Sequence, residues 1–416
     1  MHLIWWDGIL ASAAGAFVNE FVSLYMLALG ASSTTVGLRA TVNSAASLAA
    51  PLLGAWLVAR FQRRKVWVLL GPGGLARLTV LLMAGIPLVA QGQTAVILFM
   101  TLFAIQAFAG AVGQPAWNSI LGDIVPLPVR GRYMGSKMMF NNIAVTVMLP
   151  IAGWLIARIG GVSGYQVSWL IAALIGFVAT STYWRVPEVV ATGGVRTDSG
   201  GGLRAGWGAV LRDRRFLLFC VINFVWTFGI QLSAPYFTVH MSENLGFSAD
   251  TIAYIATVTT IFNVLALRFA GELVDRFGAP RMTAVSMLLV PLMPMLWIIA
   301  RTPLHVGLVK IYGFLAWAGF RVATTPLILM LARDEHRSHY VAVFNTVNGV
   351  ANMLGALPAA WLYANLGFSA NLLASAGGRL LGGLLFVCQL RSGAFAARRA
   401  EREKVRSDAA APAAGG

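Results

Sequence analysis

Glu20 stands inside an apolar run, with Asn19 beside it and Ser23 three residues on. An ionisable side chain at bilayer depth costs about 2.5–3.5 kcal/mol on insertion scales, so a carboxylate placed there is a candidate working group. Such a group can relay a proton across a membrane, pair statically with a buried arginine such as Arg77, or touch a solute directly. All three readings stand on the sequence alone. Lys310, Phe314, Trp317, Arg321 and Thr325 recur every three or four residues and so share one helical face. Cations mixed with aromatics suit a water-filled path, where Arg321 holds an anion and Trp317 stacks on a ring or sugar. An interhelical ion pair supporting the C-terminal half is the other reading of that face. Gln106, Gly110, Gly113 and Trp117 make a similar stripe.

Further polar stripes run through Asn223, Thr227 and Gln231 next to Trp226, through Asn345, Asn348, Asn352 and Gly355, and through Asn142, Thr146 and Pro150. Stripes of this kind serve as solute contacts or, more commonly, as hydrogen-bonding glue between helices. Bond-breaking chemistry finds no support. His2, His240, His305, His336 and His339 lie at chain or span ends or in a loop, and Cys220 and Cys388 fall in apolar runs. No Gly-Lys-Ser/Thr phosphate loop is present. Neither an enzyme nor a metal site is expected, and the only cofactor foreseen is a coupling ion, H+.

The elements that carry these residues are membrane helices. The chain is 58% hydrophobic and 11% charged, with mean hydropathy +0.74, too apolar for a soluble domain of 416 residues. At about 20 residues per crossing, twelve spans fit: 5–29, 34–59, 66–90, 94–121, 132–158, 163–185, 216–240, 249–275, 281–300, 304–333, 338–366 and 369–391. The first lacks a basic n-region and is not read as a cleavable signal. Trp5 and Trp6 read as interfacial anchors.

The net charge of +16 is a topology signal. Of 31 Lys and Arg, 23 fall in the even-numbered connections and the tail, including the group at Arg130–Lys137, while only Arg158 and Arg301 fall in the odd-numbered ones. That asymmetry places both termini in the cytoplasm, with the chain multi-pass in the plasma membrane and the lipid bilayer as its main partner. Nucleic acid is not expected, and the protein is expected to be monomeric. The Gly-, Arg- and Ser-rich stretch 188–215 reads as a linker between halves 1–187 and 216–391, with 392–416 as a disordered tail.

The halves are related. Gly30 to Arg60 recurs at a constant offset of 216 as Gly246 to Arg276, each copy opening on a small-polar turn and closing on Leu-Val-x-Arg-Phe. A weaker second match sets Gly131-Arg132-Tyr133, Asn141-Asn142, Leu149-Pro150 and Trp154 against Ser338-His339-Tyr340, Asn345 with Asn348, Leu357-Pro358 and Trp361, and Pro115 answers Pro326. The run Gly271-Glu272-Leu273-Val274-Asp275-Arg276-Phe277-Gly278, with Arg281, resembles the loop between the second and third helices of a half in the major facilitator superfamily. Asp123-Ile124-Val125-Pro126 with Arg130-Gly131-Arg132-Tyr133 is similar to that superfamily as well. The N-terminal copy keeps Gly54, Arg60, Arg63, Arg64 and Lys65 but carries Ala59 in place of the acid and Gln62 in place of Gly.

The resemblance implies an all-α fold of twelve helices in two six-helix halves. It also implies a cavity lined by the first, fourth, seventh and tenth spans, which contain Glu20, Gln106, Asn223, Trp226, Trp317 and Arg321. Drug/proton antiporters of that superfamily carry a basic residue where Gln106 stands. A carboxylate beside basic residues can also latch a cytoplasmic interface. Gly271, Asp275, Arg276, Gly278, Arg281, Arg60 and Arg64 are the residues expected there, in an asymmetric latch that depends on Asp275; simple topology anchoring is the alternative. The expected function is secondary active transport of a small polar or anionic organic solute by alternating access, driven by protons through Glu20. Drug or metabolite efflux is the nearest alternative, and a non-transporting sensor with a carrier fold is the rival from another class.

Overall fold

The computed structural model describes residues 2–61, 64–124, 127–185, 208, 210–332 and 337–393. The expected linker up to residue 207, the tail from residue 394, Gln62, Arg63 and the 333–336 connection lie outside them, as do the side chains of Ala59, Asp123 and residues 127–132. Among the described residues the chain is helical, and nine helices are long and apolar enough to cross a membrane. One of these, His339–Arg391, holds two spans that meet at Gly367, whose φ of 79° breaks the helix between the expected eleventh and twelfth crossings. Span 1, in two pieces, and span 2 (Ser33–Phe61) bring the total to twelve.

Span 1 is interrupted. It comprises His2–Ala16 and Val22–Ala28, with Phe17, Val18, Asn19, Glu20 and Phe21 in tight turns between. Span 7 is interrupted at the matching place: Arg214–Ser233 gives way to a 3₁₀ turn at Ala234–Tyr236, then to a π turn at His240–Asn244. The offset of 216 takes Phe17–Phe21 onto Ser233–Phe237, so the breaks belong to the repeat. Gly30 and Gly246, also 216 apart, both take positive φ (93° and 67°) at the turn that follows.

A broken helix in hydrocarbon frees backbone carbonyls that need donors. In the N-terminal half the Ser168 hydroxyl of span 6 donates to the Phe17 carbonyl at 2.7 Å. In the C-terminal half span 12 does the same work: Ser375 donates to the Gly229 carbonyl at 2.6 Å, and Arg379 donates to the Ile230 carbonyl at 3.4 Å and to Ser233 Oγ at 2.8 Å. Arg379 is only 1% exposed and is thereby accounted for as a structural donor.

The two halves do not meet evenly. One apolar cluster runs continuously from Leu29, Val36, Ala152 and Ile156 to Tyr236, Val239, Ala249 and Ile252. It therefore joins both halves at the end away from the basic connections. Toward the basic end the clusters separate, one around Ile4, Val68 and Tyr183 and another around Phe216, Phe219 and Tyr340. Small residues permit the joined end to close. A Cβ on Gly37 would strike the Tyr236 hydroxyl, and one on Gly153 would strike Ala253. Ser33 donates to Glu243 Oε2 across the same seam at 2.9 Å. The molecule is closed at its less basic end.

Candidate functional site

A cavity of about 550 Å³ lies between the halves. Its N-terminal wall carries Asn19 from the broken turn of span 1, Arg39 and Asn43 from span 2, and Gln106 from span 4 (Gly92–Ile124). Its C-terminal wall carries Gln231 from span 7 and Asn352 from span 11. A lining so rich in amide and guanidinium groups suits a polar or anionic solute better than a lipophilic cation.

Glu20, next to Asn19 in the same turn, is exposed and bears on two cations: Arg39 of the N-terminal half and Lys310 of span 10 (Pro303–Leu331) in the C-terminal half. The expected partner Arg77 is thereby corrected. Arg77 belongs to span 3, where it is set against Asp7 instead. The break explains why Glu20 is available. The chain leaves helical register at residues 17–21, and Glu20 is exposed there while its neighbours Val18 and Phe21 are buried.

Other candidates distribute differently. Trp226 is 1% exposed and packs against Trp317 and Phe320, with ring centroids 4.9 and 4.4 Å away, inside the core of the C-terminal half. The expectation that Trp226 lines the cavity is corrected on that packing, while Trp317 is half-buried against the same cluster. The Lys310 face divides accordingly: Lys310 reaches toward Glu20, Trp317 joins the core, and Arg321 is exposed nearer the basic end. Asn223 is buried and donates to Asn348 Oδ1 at 2.5 Å, with Thr227 also donating to that oxygen at 3.0 Å. These stripes on spans 7 and 11 are glue along most of their length, and only Gln231 and Asn352 at their far end face the cavity.

The latch residues lie at the basic end. Gly278, with φ 84°, closes span 8 (Ala249–Phe277), and the Arg276 guanidinium sits 5.4 Å from the ring of Phe277. Asp275, Arg276, Arg281 and Arg60 are exposed, while Arg64 is buried. The family-like acid loop around Asp123 lies outside the described side chains.

A second charged cavity, of about 510 Å³, lies wholly within the N-terminal half. Asp7 of span 1, Arg77 of span 3 and Lys137 of span 5 (Leu127–Ile159) line it, together with Trp117 of span 4. Lys137 had been grouped with the loop cations, but it is 5% exposed and lies over the Trp117 ring at 4.2 Å. Sequence reasoning passed over Arg39, Lys137 and the role of Asp7. A signal was present for two of them: Arg39 with Asn43, and Lys137 with Asn141, are polar pairs four residues apart on otherwise apolar helices.

Comparison with known proteins agrees with this architecture. A profile of the Major Facilitator Superfamily matches residues 8–238 and 219–413. The multidrug resistance protein MdtG of Klebsiella pneumoniae (strain 342) is 22% identical over 97% of both chains. The multidrug resistance protein MdtH of Photorhabdus laumondii subsp. laumondii is 27% identical over 35% of this chain and 36% of its own length. The crystal structure of the nucleoside transporter NupG superposes with a TM-score of 0.72 at 13% identity, over 94% of this chain and 99% of that one. That of a D-xylose-proton symporter gives 0.70 at 15% identity, over 92% and 95%.

Proposed function

Because the chain belongs to the Major Facilitator Superfamily, and so is an integral membrane protein that carries out secondary active transport, we propose that it moves a small polar or anionic organic solute through the cavity between its halves. Proton coupling through Glu20 completes the proposal. The observation that carries it is Glu20 itself, exposed in the broken turn of span 1 with Arg39 on its own half and Lys310 on the other.

When ionised, Glu20 attracts Lys310 and so favours the arrangement that holds the two walls together around it. When protonated, it loses that attraction, and Arg39 and Lys310, one on each half, are left without their shared counter-charge. A proton on Glu20 therefore shifts the balance between access states, which is what coupling requires. An anionic solute near Arg39 and Lys310 would replace the lost negative charge, linking solute and proton in one site. If the basic connections face the cytoplasm, the structure is the inward-facing state of a carrier in the plasma membrane.

The test is flux into proteoliposomes holding the purified protein, using labelled nucleosides, pentoses and organic acids under an imposed pH gradient. A solute that accumulates with the gradient, loses that accumulation in Glu20→Gln and keeps gradient-free exchange supports the reading. Accumulation that is indifferent to the gradient in the wild type removes proton coupling. Efflux stands as a second reading because both curated relatives named above are multidrug resistance proteins. Ethidium extrusion from inverted vesicles, with no uptake of polar solutes, would select it.

A further inference from the structure

The Asp7–Arg77–Lys137 cavity stands apart from the proposed transport site, since its described lining comes from the N-terminal half alone. Its shape begins in the sequence of span 1. Asp7, Gly8, Ala11, Ser12 and Gly15 fall on one helical face, a strip about 12 Å long at 1.5 Å per residue, and Asn19 follows in the break. The small residues among them leave a slot instead of a packed seam. Gly8 is needed for this: a Cβ there would strike the Lys137 stem and Asn141. At its far end the slot reaches Asn19, which also lines the cavity between the halves, so the two spaces adjoin at the helix break.

The charge in the slot is not balanced. Two cations face one carboxylate: Lys137 and Arg77 both bear on Asp7, and no other acid is among the described lining residues. The Arg77 Nε is buried without a hydrogen-bond partner. The Lys137 stem is buried, and its ammonium meets the face of Trp117. A buried excess of one positive charge with an unmet donor is costly unless an anion completes it. Apolar walls at Val68, Leu69, Pro72 and Val145 flank the polar end. The volume is that of a site for a small organic molecule.

We propose that this slot is a second binding site, for a small organic monoanion whose carboxylate lies between Arg77 and Lys137 and whose apolar body lies along Pro72 and Val145. It is a binding site whether or not the interface cavity transports the same molecule. Because a rocking motion carries the N-terminal half as a unit, the slot holds its ligand independently of the access state.

The experiment is calorimetric titration of benzoate into the full-length protein in nanodiscs, with benzamide as the uncharged isostere. Saturable one-to-one binding of benzoate is expected, with benzamide weaker by about tenfold or more. Lys137→Gln should weaken benzoate by about tenfold or more, and Lys137→Arg should stay within about threefold of wild type. Ser12→Phe fills the slot without removing a charge and should abolish binding; it carries the test if Lys137→Gln does not fold. Lys310→Gln, which removes the cation that bears on Glu20 and lies on the other half, should leave benzoate affinity unchanged. Absence of saturable benzoate binding, equal binding of benzamide, or a loss in Lys310→Gln matching that in Lys137→Gln would each overturn the proposal. The last of these would assign the probe to the interface cavity and leave the transport reading untouched.

Discussion

Two charge clusters of the same composition sit on span 1, one carboxylate against two cations in each. Glu20 faces Arg39 and Lys310, and Asp7 faces Arg77 and Lys137. They differ in which bodies they join. Every member of the Asp7 cluster is on the N-terminal half, so a rocking motion leaves its internal distances alone. Lys310 is on the other half, so the Glu20 cluster must be remade each time the halves move. Under the two proposals, the same chemistry serves a fixed site in one place and a switch in the other. The contrast extends to the backbone: Asp7 lies on a regular helix, whereas Glu20 lies in a break that the internal repeat reproduces at Tyr236. In the second half that break carries no charge. Tyr236 is buried and stacks on Tyr363 at 4.3 Å, sealing the closed end.

The largest difference between the clusters should appear in gradient-driven accumulation. Glu20→Gln is expected to lower it by about a hundredfold or more if Glu20 is the proposed proton relay, an intramembrane carboxylate being a functional-site candidate by default. Asp7→Asn should lower it only by about as much as the folded population falls. Equal losses in the two variants would erase the distinction. Next in size is a steric test. Gly153→Val places a branched side chain against Ala253 and the Ala249 carbonyl, opposing closure of the less basic end. Transport should fall by about tenfold or more, while benzoate affinity at the slot stays near wild type. A parallel loss of benzoate binding would show that the slot changes with the access state.

Much of this arrangement was readable before any coordinates. The 216-residue offset located both turn glycines, because a duplicated sequence folds to duplicated backbone, whereas spans 1 and 7 were expected as continuous crossings and their breaks show only in the fold. The gap left between spans 11 and 12 is where Gly367 bends the chain. What periodicity could not tell was which side of a helix meets a cavity and which meets another helix. Trp317 has the spacing of a lining stripe, and it packs against Trp226 and Phe320 instead. Partners were harder still. Glu20 and Lys310 are 290 residues apart on different halves, so only the assembled interface shows that they face each other. Lys137 was hidden by its position, close enough to the basic connection to be counted with it.

The static cluster should reveal itself in stability. Asp7→Asn leaves Arg77 and Lys137 facing each other without their shared counterion. Breaking one side of a buried charge group costs about 3–5 kcal/mol, less where water reaches it, so about 1–3 kcal/mol is expected here. Thermal unfolding in nanodiscs would measure it. The double variant Asp7→Asn/Lys137→Gln should recover part of the loss, because it removes one of the two repelling charges. A double variant that falls by the sum of the single effects would mean that the groups do not interact.

The smallest effect bears on how the switch is held. The Ser33 hydroxyl donates to Glu243 at the closed end, in an exposed setting. A single hydrogen bond to a charged group in contact with water contributes about 1 kcal/mol or less. Ser33→Ala should therefore move the balance toward opening at that end by about fivefold at most. Spin labels placed on the two halves there would read the shift as a minor, longer distance population. The Asp7 cluster should be indifferent to this change, and the Glu20 cluster should not, because Lys310 moves with its half. A shift much larger than fivefold would mean that Ser33 and Glu243, and not the apolar seam between Val36 and Ile252, hold the two halves together.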